Sequence, residues 1–452
     1  MSESSSGAEP KHSLILRPSG ILSAGKLLSG HELVIADGRN AALRPATGPE
    51  NLPGRLLLPG FVNAHSHAFQ RGLRGHVQWR SGDDDFWSWR ERMYALATGL
   101  DPQGVEDVSA LAFLEMAQAG FTTVGEFHYL HHSPDGRPYA DPDELARRVI
   151  RAARRVGIRI CLLRVAYGRA GFEQPANRRQ RRFIDRDPDA ALLAAKRLAR
   201  IEDPKVSVGL APHSVRACPR RWLQAFSSFE GPVHMHVSEQ PGENRQCIDE
   251  TQVSPTALID ECGLLSPRFH AVHMTWPTAG DADRLRRSGA GVVACPTTEL
   301  DLGDGFLQQD QLEGVPLSIG TDSHARIDPF AEIRALELHA RGLQGRRNVL
   351  SPPEQVDGLA LRLLDIGARG GAAALGLEGG TGAVGEPADW IGVDLNDPVL
   401  ACARMLPAVV MAGHVGMVTH SWVGGDPVLV DRRHPLQAEI LEAATRALAT
   451  VP

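Results

Sequence analysis

The segment Leu56-Leu57-Leu58-Pro59-Gly60-Phe61-Val62-Asn63-Ala64-His65-Ser66-His67 contains the pattern that decides the fold of this chain. Its apolar residues are typical of a buried strand, which breaks at Pro59-Gly60, resumes and ends in two histidines two positions apart. Because the side chains of a strand alternate between its two faces, both imidazoles point the same way. Two neutral imidazoles at one strand end can share a divalent ion, so the segment predicts a strand that presents a metal site.

The overall composition limits the classes of protein to consider. The chain has 452 residues, with 48 Lys+Arg against 54 Asp+Glu and a net charge of -6, and it contains no basic block of the kind that binds nucleic acid. The first residues lack a basic start and an apolar core, and no apolar run is long enough to cross a membrane. We therefore expect a cytoplasmic protein with a disordered N-terminus over residues 1–12. The six cysteines form no Cys-x-x-Cys pair, which favours reduced thiols over disulfides or a thiolate zinc site.

Short apolar strand candidates alternate with longer helical patterns through most of the chain. The eight candidates are Leu56 to Ala64, Thr122 to Phe127, Ile158 to Val165, Val206 to Pro212, Pro232 to Val237, Phe269 to Thr275, Gly291 to Pro296 and Pro316 to Thr321. Repeated β-α units predict a parallel sheet, and eight of them suit a TIM-like (β/α)8 barrel of the α/β class. A doubly wound open sheet is the alternative, but no Gly-x-Gly-x-x-Gly follows the first strand.

The two chain ends have a different sequence pattern, in which short apolar segments are separated by tight turns. Strand candidates occur at Leu14 to Leu16 and Glu32 to Ile35, and again at Trp390 to Asp394 and Met417 to Val423. We predict that residues 13–57 and 380–452 form a small β-sandwich domain with a C-terminal helix, and that residues 58–379 form the barrel. The aromatic and arginine-rich insert from Gln70 to Tyr94 follows the first barrel strand, and such long loops usually cover the site of a barrel.

Polar side chains follow most of the predicted strands, where a barrel carries its chemistry. They are His65 and His67 after the first strand, Glu126 and His128 after the second, His213 and Arg216 after the fourth, His236 and Glu239 at the fifth, His273 after the sixth, and Asp322 and His324 after the eighth. Convergent ligands in a cleft are the signature of a catalytic metal site. Nitrogen and carboxylate donors without thiolates suit one Zn²⁺, with Fe²⁺ as the second choice. The predicted metal ligands are His65, His67, His236 and Asp322.

The other histidines receive no ligand role. His234 shares a strand face with His236 one layer deeper, which predicts core packing or support of the ligands. His270 precedes His273 by three positions and is predicted to face outward. His128, His131, His132 and His324 are treated as ordinary loop histidines.

The chain resembles the amidohydrolase superfamily and, within it, the N-formimidoyl-L-glutamate deiminase family. The matching motifs are Leu58-Pro59-Gly60, His65-Ser66-His67-Ala68-Phe69-Gln70-Arg71, Glu126-Phe127-His128-Tyr129, Leu210-Ala211-Pro212-His213-Ser214-Val215-Arg216, His236-Val237-Ser238-Glu239-Gln240, Leu302-Gly303-Asp304-Gly305 and Gly320-Thr321-Asp322-Ser323-His324. The resemblance extends along the whole predicted barrel. No lysine stands at a strand end to bridge two metals, which agrees with a single-metal deaminase.

The resemblance implies hydrolytic deamination of N-formimidoyl-L-glutamate to N-formyl-L-glutamate and ammonia, a step of histidine degradation. Asp322 is the candidate that orients a metal-activated water and accepts its proton, and Glu239 is the candidate that carries protons to the departing nitrogen. His273 is the candidate that stabilises or protonates the tetrahedral intermediate. The implied enzyme is a formimidoylglutamate deiminase that is similar to proteins that dimerise.

A dicarboxylate substrate needs paired, preferably arginine, partners. Arg216 with His213 can hold one carboxylate, and the resemblance implies that Arg90 with Tyr129 holds the other. Gln70 is a further hydrogen-bonding candidate. The alternatives are a related single-zinc amidohydrolase acting on another formimino acid, guanine or a nucleoside, and a non-enzymatic barrel kept as a binding protein.

Overall fold

The structure, a computed structural model, describes residues 13–78 and 86–449, without the side chains of residues 86–88 and 90. The predicted disorder over residues 1–12 lies outside the described part of the chain. Strands are numbered in chain order: β1 (Ser13–Leu16), β2 (Pro18–Ser23), β3 (Lys26–Leu28), β4 (His31–Ala36), β5 (Arg39–Pro45), β6 (Leu52–Pro59), β7 (Phe61–Ser66), β8 (Phe121–His128), β9 (Arg159–Ala166), β10 (Val206–Pro212), β11 (Val233–Val237), β12 (Phe269–His273), β13 (Gly291–Ala294), β14 (Leu317–Ile319), β15 (Trp390–Asp394), β16 (Val418–Val423) and β17 (Asp426–Leu429).

The helices are numbered in the same way. They are α1 (Phe86–Gly99), α2 (Pro102–Ala119), α3 (Glu144–Val156), α4 (Pro188–Leu198), α5 (Arg220–Phe226), α6 (Pro241–Thr251), α7 (Pro255–Glu261), α8 (Asp281–Ser288), α9 (Pro296–Asp301), α10 (Pro329–Gln344), α11 (Gly358–Asp365), α12 (Gly371–Ala374), α13 (Met405–Met411) and α14 (Gln437–Ala449). Several begin where the sequence supplies a capping side chain. Asp101, for example, accepts a hydrogen bond from the backbone N–H of Gly104 at the start of α2.

Strands β7 to β14 form one parallel sheet in which each strand lies beside its neighbour in sequence. The sheet closes because Ser66 bridges Asp322 in parallel, and the N–H of Asp322 donates to the carbonyl of His65 at 3.0 Å. Helices separate the strands, so the predicted (β/α)8 barrel is confirmed. The polar strand ends of the sequence therefore do meet at one rim.

The remaining strands come from the two ends of the chain, as predicted. A three-stranded sheet has the order β1-β4-β5, and a six-stranded sheet has the order β17-β16-β15-β6-β2-β3. Buried side chains such as Leu33, Leu57, Trp390 and Trp422 fill the space between these sheets. The exact domain boundaries given above remain a prediction.

The prediction of one strand from Leu56 to Ala64 was wrong. Its first half belongs to β6 in the six-stranded sheet, and its second half belongs to β7 in the barrel. The chain changes sheets at Gly60, where an added Cβ would lie 2.3 Å from the side chain of Thr122. Only glycine allows this close passage, so the break at Pro59-Gly60 is a crossing point between two sheets.

The C-terminal helix packs on the barrel. Ile440 and Ala444 of α14 are buried with the barrel core, and the side chain of Gln118 in α2 donates to Gln437 at 3.0 Å. Its apolar face therefore covers α2, although the helix follows the last sandwich strand in sequence. Among the described helices, none combines the length and apolar character that crossing a bilayer requires.

Candidate active site

Four side chains converge at the carboxyl-terminal rim of the barrel. His65 lies in β7, His67 follows it directly, His236 lies in β11 and Asp322 follows β14. The Nε2 atom of His65 lies 3.2 Å from Nε2 of His236 and 3.3 Å from Oδ1 of Asp322, and Nε2 of His67 lies 3.2 Å from the same oxygen. All four residues are buried, and their ligand atoms lie within 4.8 Å of one another.

The donor spacing fits one shared metal ion. With bonds of about 2.1 Å, neighbouring ligands of a zinc ion lie roughly 3.0 to 3.4 Å apart, close to the three distances given above. The Nδ1 atoms of His67 and His236 lie 3.0 and 2.9 Å from the backbone carbonyls of Phe127 and His213. Donation of Nδ1–H to these carbonyls leaves both Nε2 lone pairs free for a metal.

The electrostatics of His65, His236 and Asp322 agree with ligation. Burial lowers the pKa of His65 to about 3, and burial together with neighbouring imidazoles holds the pKa of His236 well below its usual range. Burial alone would raise the pKa of Asp322, but hydrogen bonds with His65 and His67 hold it well below its usual range. The set is therefore three imidazoles and a carboxylate, a combination that suits zinc.

The backbone near Asp322 brings the last strand close to the first. An added Cβ on Gly320 would lie 2.7 Å from Cβ of His65, so only glycine fits there. Asp322 itself has a left-handed φ of +45°. Such conformations are uncommon outside glycine and cluster at functional sites, where surrounding contacts maintain them.

A buried hydrogen-bond network holds the residues next to His65 and His67 in place. Ser66 donates to Glu126 at 2.5 Å, and Glu126 accepts a second bond from the backbone N–H of Ala68 at 2.8 Å. The hydroxyl of Ser66 also lies 3.1 Å from Nε2 of His324, whose Nδ1 lies 2.9 Å from the hydroxyl of Thr321. Burial raises the pKa of Glu126 to about 7 in spite of its hydrogen bonds. The network joins the end of β7, which carries His65 and His67, to the segment that follows the last strand of the barrel.

His273 and Glu239 lie beside the four ligands. The Nε2 atom of His273 lies 3.8 Å from Oε1 of Glu239 and 4.0 Å from Oδ2 of Asp322, and its ring stacks on that of His236 at 5.5 Å. Burial alone would lower the pKa of His273, but the carboxylates of Glu239, Glu299 and Asp322 raise it to about 10. An acid, a base and a metal-capable set therefore share one buried space.

A small cavity opens above this group. Its lining combines aromatic, charged and ligand residues: His67, Trp89, Met93, Tyr94, Tyr129, Tyr167, Phe183, His213, Arg216, His236, Glu239, Leu302 and Asp322. A mostly aromatic wall with a few convergent polar groups is typical of a small-molecule site.

Comparison with known proteins settles the family. The model of the amidohydrolase family matches residues 56–428 of this chain. The chain belongs to the amidohydrolase family.

Individual relatives agree with this assignment. A formimidoylglutamate deiminase of Pseudomonas aeruginosa is 39% identical over 414 residues, which are 89% of this chain and 91% of the relative. A 5-methylthioadenosine/S-adenosylhomocysteine deaminase of Teredinibacter turnerae is 28% identical over 399 residues, which are 84% of this chain and 81% of the relative. The resemblance drawn from the sequence motifs is thus confirmed.

Solved structures show the same fold. The crystal structure of an amidohydrolase from Brucella melitensis has a TM-score of 0.88 and 32% identity, and the match covers 97% of this chain and 99% of that one. The structure of an adenosine deaminase from Xanthomonas campestris with bound zinc has a TM-score of 0.81 and 24% identity, over 97% of this chain and 98% of that one. At that lower identity the second likeness shows the fold alone.

The predicted substrate-binding residues of this amidohydrolase differ from one another in the side chains that they contact. Tyr129 and Gln70 form a pair, with Nε2 of Gln70 donating to the tyrosine hydroxyl at 2.7 Å. Arg216 lies 3.4 Å from Oε2 of Glu239 and 3.8 Å from Oε2 of Glu243, and His213 lines the same cavity. The side chain of Arg90 lies outside the described residues, so its predicted role stays a prediction.

The prediction that His270 faces outward was wrong. Its ring packs 5.3 Å from that of His234 inside the barrel, and only 5% of the residue is exposed. Counting back from His273 fails because His273 has a left-handed φ of +77°, which breaks the alternation of faces at the strand end. His234 itself occupies the packing position that was predicted, with Nε2 2.7 Å from the carbonyl of Ala374.

Sequence reasoning missed several residues of the site. Tyr167 follows β9 directly, so the rule applied to other strand ends would have found it. The side chain of Gln180 donates to the hydroxyls of Tyr94 and Tyr167 at 3.1 Å each, which joins α1 of the insert to the barrel. Glu243 comes four residues after Glu239, in the first turn of α6. Glu299 comes shortly after β13 and three residues before the Leu302-Gly303-Asp304-Gly305 motif, which are the signals that could have found it.

Proposed function

We propose that this chain hydrolyses N-formimidoyl-L-glutamate to N-formyl-L-glutamate and ammonia, and that the residues named below carry the reaction. The observation that carries the proposal is the convergence of His65, His67, His236 and Asp322 next to Glu239 and His273, in a cavity that Arg216 also lines. The similarity to the Pseudomonas aeruginosa deiminase supports this choice over nucleoside deamination. The reaction adds water across the C=N bond of the formimino group and expels the terminal nitrogen.

The chain offers a complete set of ligands for a single zinc ion, which is our proposed cofactor ahead of Fe²⁺. A zinc ion held by His65, His67, His236 and Asp322 would acidify water and supply hydroxide at neutral pH. Asp322 directs Oδ1 at the imidazoles of His65 and His67, which leaves Oδ2, on the side of His273, to orient the water and accept its proton.

Glu239 and His273 then handle the remaining protons. Glu239 relays the protons released by the attacking water to the departing nitrogen, so that ammonia rather than an amide anion leaves. His273 donates a hydrogen bond through Nε2, the ring atom that faces Glu239 and Asp322, to the oxygen of the tetrahedral intermediate. Stabilisation of developing charge by such a fixed donor is a major contribution to catalysis.

Substrate recognition is assigned to the walls of the cavity. Arg216 with His213 takes one carboxylate, and Arg90 with Tyr129 takes the other. Burial lowers the pKa of Arg216, but Glu243 and Glu239 more than offset this effect and raise it, so the guanidinium stays charged. Gln70 keeps one side-chain oxygen unpartnered and buried, and a donor on the formimino group would satisfy it.

We further propose that the protein acts in the cytoplasm as a homodimer and serves histidine degradation. No nucleic acid or membrane enters this proposal, since the substrate is a small dicarboxylate. Sedimentation of the purified protein tests the dimer. A deletion strain grown on histidine as its nitrogen source tests the pathway.

The decisive experiment measures ammonia release by the purified, zinc-loaded protein. N-formimidoyl-L-glutamate is compared with N-formimidoyl-L-aspartate, guanine and 5′-methylthioadenosine at equal concentrations. We expect release from the glutamate compound at a kcat/KM at least about 10²-fold above any other, because a site built for two carboxylates rejects ligands that leave its charges unpaired. Greater activity on a nucleoside or a nucleobase would overturn the proposal.

A further inference from the structure

We propose that Glu299 is a positioning residue that sets the orientation of the His273 imidazole. The proposal rests on the function above, in which His273 presents Nε2 to the substrate. Glu299 lies on α9, which follows β13, so it approaches the site from an element that supplies no proposed ligand. Both residues are fully enclosed by protein.

The backbone does not hold His273 in the regular geometry of a strand. His273 and Met274 have left-handed φ values of +77° and +54°, so the chain turns sharply at this point. Strand alternation therefore cannot decide where the ring points. Other contacts must fix it, because a 180° rotation about the Cβ–Cγ bond preserves the ring plane and hence the stacking on His236.

Glu299 supplies the contact that distinguishes the two ring orientations. Its Oε1 lies 3.4 Å from Nδ1 of His273 and also accepts the backbone N–H of Cys295 at 2.8 Å. The second bond anchors the carboxylate at the start of α9. A carboxylate at Nδ1 requires Nδ1–H, and this directs Nε2 toward Glu239 and Asp322. A flipped ring would bring a carbon atom to the carboxylate.

A second metal site is the competing explanation, because His273, Cys295 and Glu299 all carry possible ligand atoms close together. One observation counts against it, since burial raises the pKa of the Cys295 thiol well above its usual range and a protonated thiol is a poor ligand. The zinc titration described below separates the two explanations.

The test uses the zinc-loaded full chain with Glu299→Ala and Glu299→Gln. Glu332 of α10 offers a matched control. It is a fully buried carboxylate that accepts the backbone N–H of Thr297 in α9, the helix of Glu299, and it lies away from His273. We expect Glu299→Ala to lower kcat about 100-fold, as for a misplaced catalytic group, with KM changed by less than about 2-fold. Glu299→Gln should recover at least about 10-fold of that loss, because the amide oxygen still accepts Nδ1–H. Glu332→Gln should stay within about 3-fold of wild type.

Two kinetic outcomes would overturn the proposal. One is a kcat for Glu299→Ala within about 3-fold of wild type, and the other is a loss of activity that Glu332→Gln reproduces. Zinc titration adds a third test, since a second equivalent that binds to wild type but not to Glu299→Ala would assign the cluster to metal binding instead.

Crystal structures of the zinc-loaded variants separate this inference from the proposed function. We expect the His273 ring to keep its orientation in Glu299→Gln and to rotate or become disordered in Glu299→Ala. If wild type releases no ammonia from formimino acids, the proposed function fails, while the ring orientation still tests the role of Glu299. An unchanged ring in Glu299→Ala would refute that role whatever the substrate.

Discussion

The barrel interior contains two layers of buried histidines that differ in what surrounds them. In the upper layer, His65 and His236 bring their Nε2 atoms to 3.2 Å from each other and share the neighbourhood of Asp322. In the deeper layer, His234 and His270 pack their rings 5.3 Å apart, and His234 meets a backbone carbonyl at 2.7 Å. Burial lowers the pKa of His270 to about 3 and of His234 to about 4, comparable with the value for His65.

Burial and a lowered imidazole pKa are therefore common to both layers and cannot be what makes a metal site. The upper layer adds a third imidazole and a carboxylate, and backbone carbonyls engage Nδ1 of His67 and of His236 so that Nε2 of each stays free. In the deeper pair the carbonyl of Ala374 engages Nε2 of His234 itself. The difference lies in which ring nitrogen the surroundings occupy.

The strongest test removes the carboxylate that distinguishes the upper layer. We expect Asp322→Ala to lose zinc and to lower kcat/KM by roughly 10⁴-fold or more, since both a ligand and the proton acceptor are gone. Metal analysis after dialysis and ammonia release check this. A variant that keeps a full zinc equivalent and near-normal activity would show that Asp322 is not what separates the layers.

Glu239→Gln removes the proton carrier and leaves the proposed ligands intact. We expect one zinc per chain and a kcat about 10² to 10⁴-fold lower, because a general acid and base contributes that much. The measurement is a steady-state ammonia assay alongside metal analysis. If the glutamine variant turns over at the wild-type rate, Glu239 has no role in proton transfer.

Arg216→Ala tests the wall of the cavity above the upper layer. We expect the loss of a buried charge partner to weaken substrate binding by about 2 to 5 kcal/mol, seen as a large rise in KM. Arg216→Lys should recover part of the loss, since it keeps the charge without the planar fork. Arg220, which pairs with Glu261 at 2.9 Å on a half-exposed surface, is the control. An unchanged KM for Arg216→Ala would remove this arginine from the site.

Glu126→Gln loosens the support behind the upper layer. Since Glu126 accepts bonds from Ser66 and the N–H of Ala68, its neutral isostere should lower zinc affinity by about 10 to 100-fold. Competition with a chelator of known affinity measures the change. Glu337→Gln, a buried carboxylate that accepts the backbone N–H groups of Val349 and Leu350, provides the comparison and should leave zinc affinity unaltered.

The smallest effect on activity is expected in the deeper layer. His270→Gln should change zinc content and kcat by less than about 2-fold, because His270 contacts no proposed ligand or reacting group. The stability of the metal-free protein should nevertheless respond to acid. The unfolded chain binds a proton at this histidine near pH 6.5 and the folded chain only near pH 3, so its contribution is complete above pH 6.5 and is lost as the pH falls.

Denaturant unfolding at a series of pH values measures this contribution. Between pH 6 and 4 the free energy of unfolding should fall less steeply in His270→Gln, by up to about 1.4 kcal/mol per pH unit. An identical pH dependence in both proteins would mean that His270 does not stay neutral in the folded state. Loss of zinc in this variant would contradict the division into two layers.

The sequence predicted the parts of the site that depend on regular structure. Apolar runs located eight strands, and the parallel arrangement then placed His65, His236 and Asp322 at one rim without further information. It failed where the backbone departs from regularity. The turn at His273 reversed the expected side of His270, and the close passage at Gly60 divided one apolar run between two sheets.

Contacts between residues far apart in the chain were also beyond the sequence. Glu299 reaches His273 only because β13 lies beside β12, and Gln180 meets Tyr94 only because the insert folds back over the barrel. Such pairs have no spacing signal, since their geometry depends on how loops of different length return to the sheet. The positions of strand ends in the sequence therefore predict the metal ligands, but they do not predict the residues that contact and orient the site.

Closure of the barrel has a consequence for folding. The bond between Ser66 and His324 joins positions 258 residues apart, and the loop that carries His65 and His67 meets Asp322 only when the last strand docks on the first. Contacts between such distant segments form late, because the entropy of closing the intervening chain must be offset first. A metal ion bound at this junction holds the first and last strands of the barrel together. It slows unfolding most strongly if the barrel opens between these strands, so metal removal should shorten the lifetime of the native state.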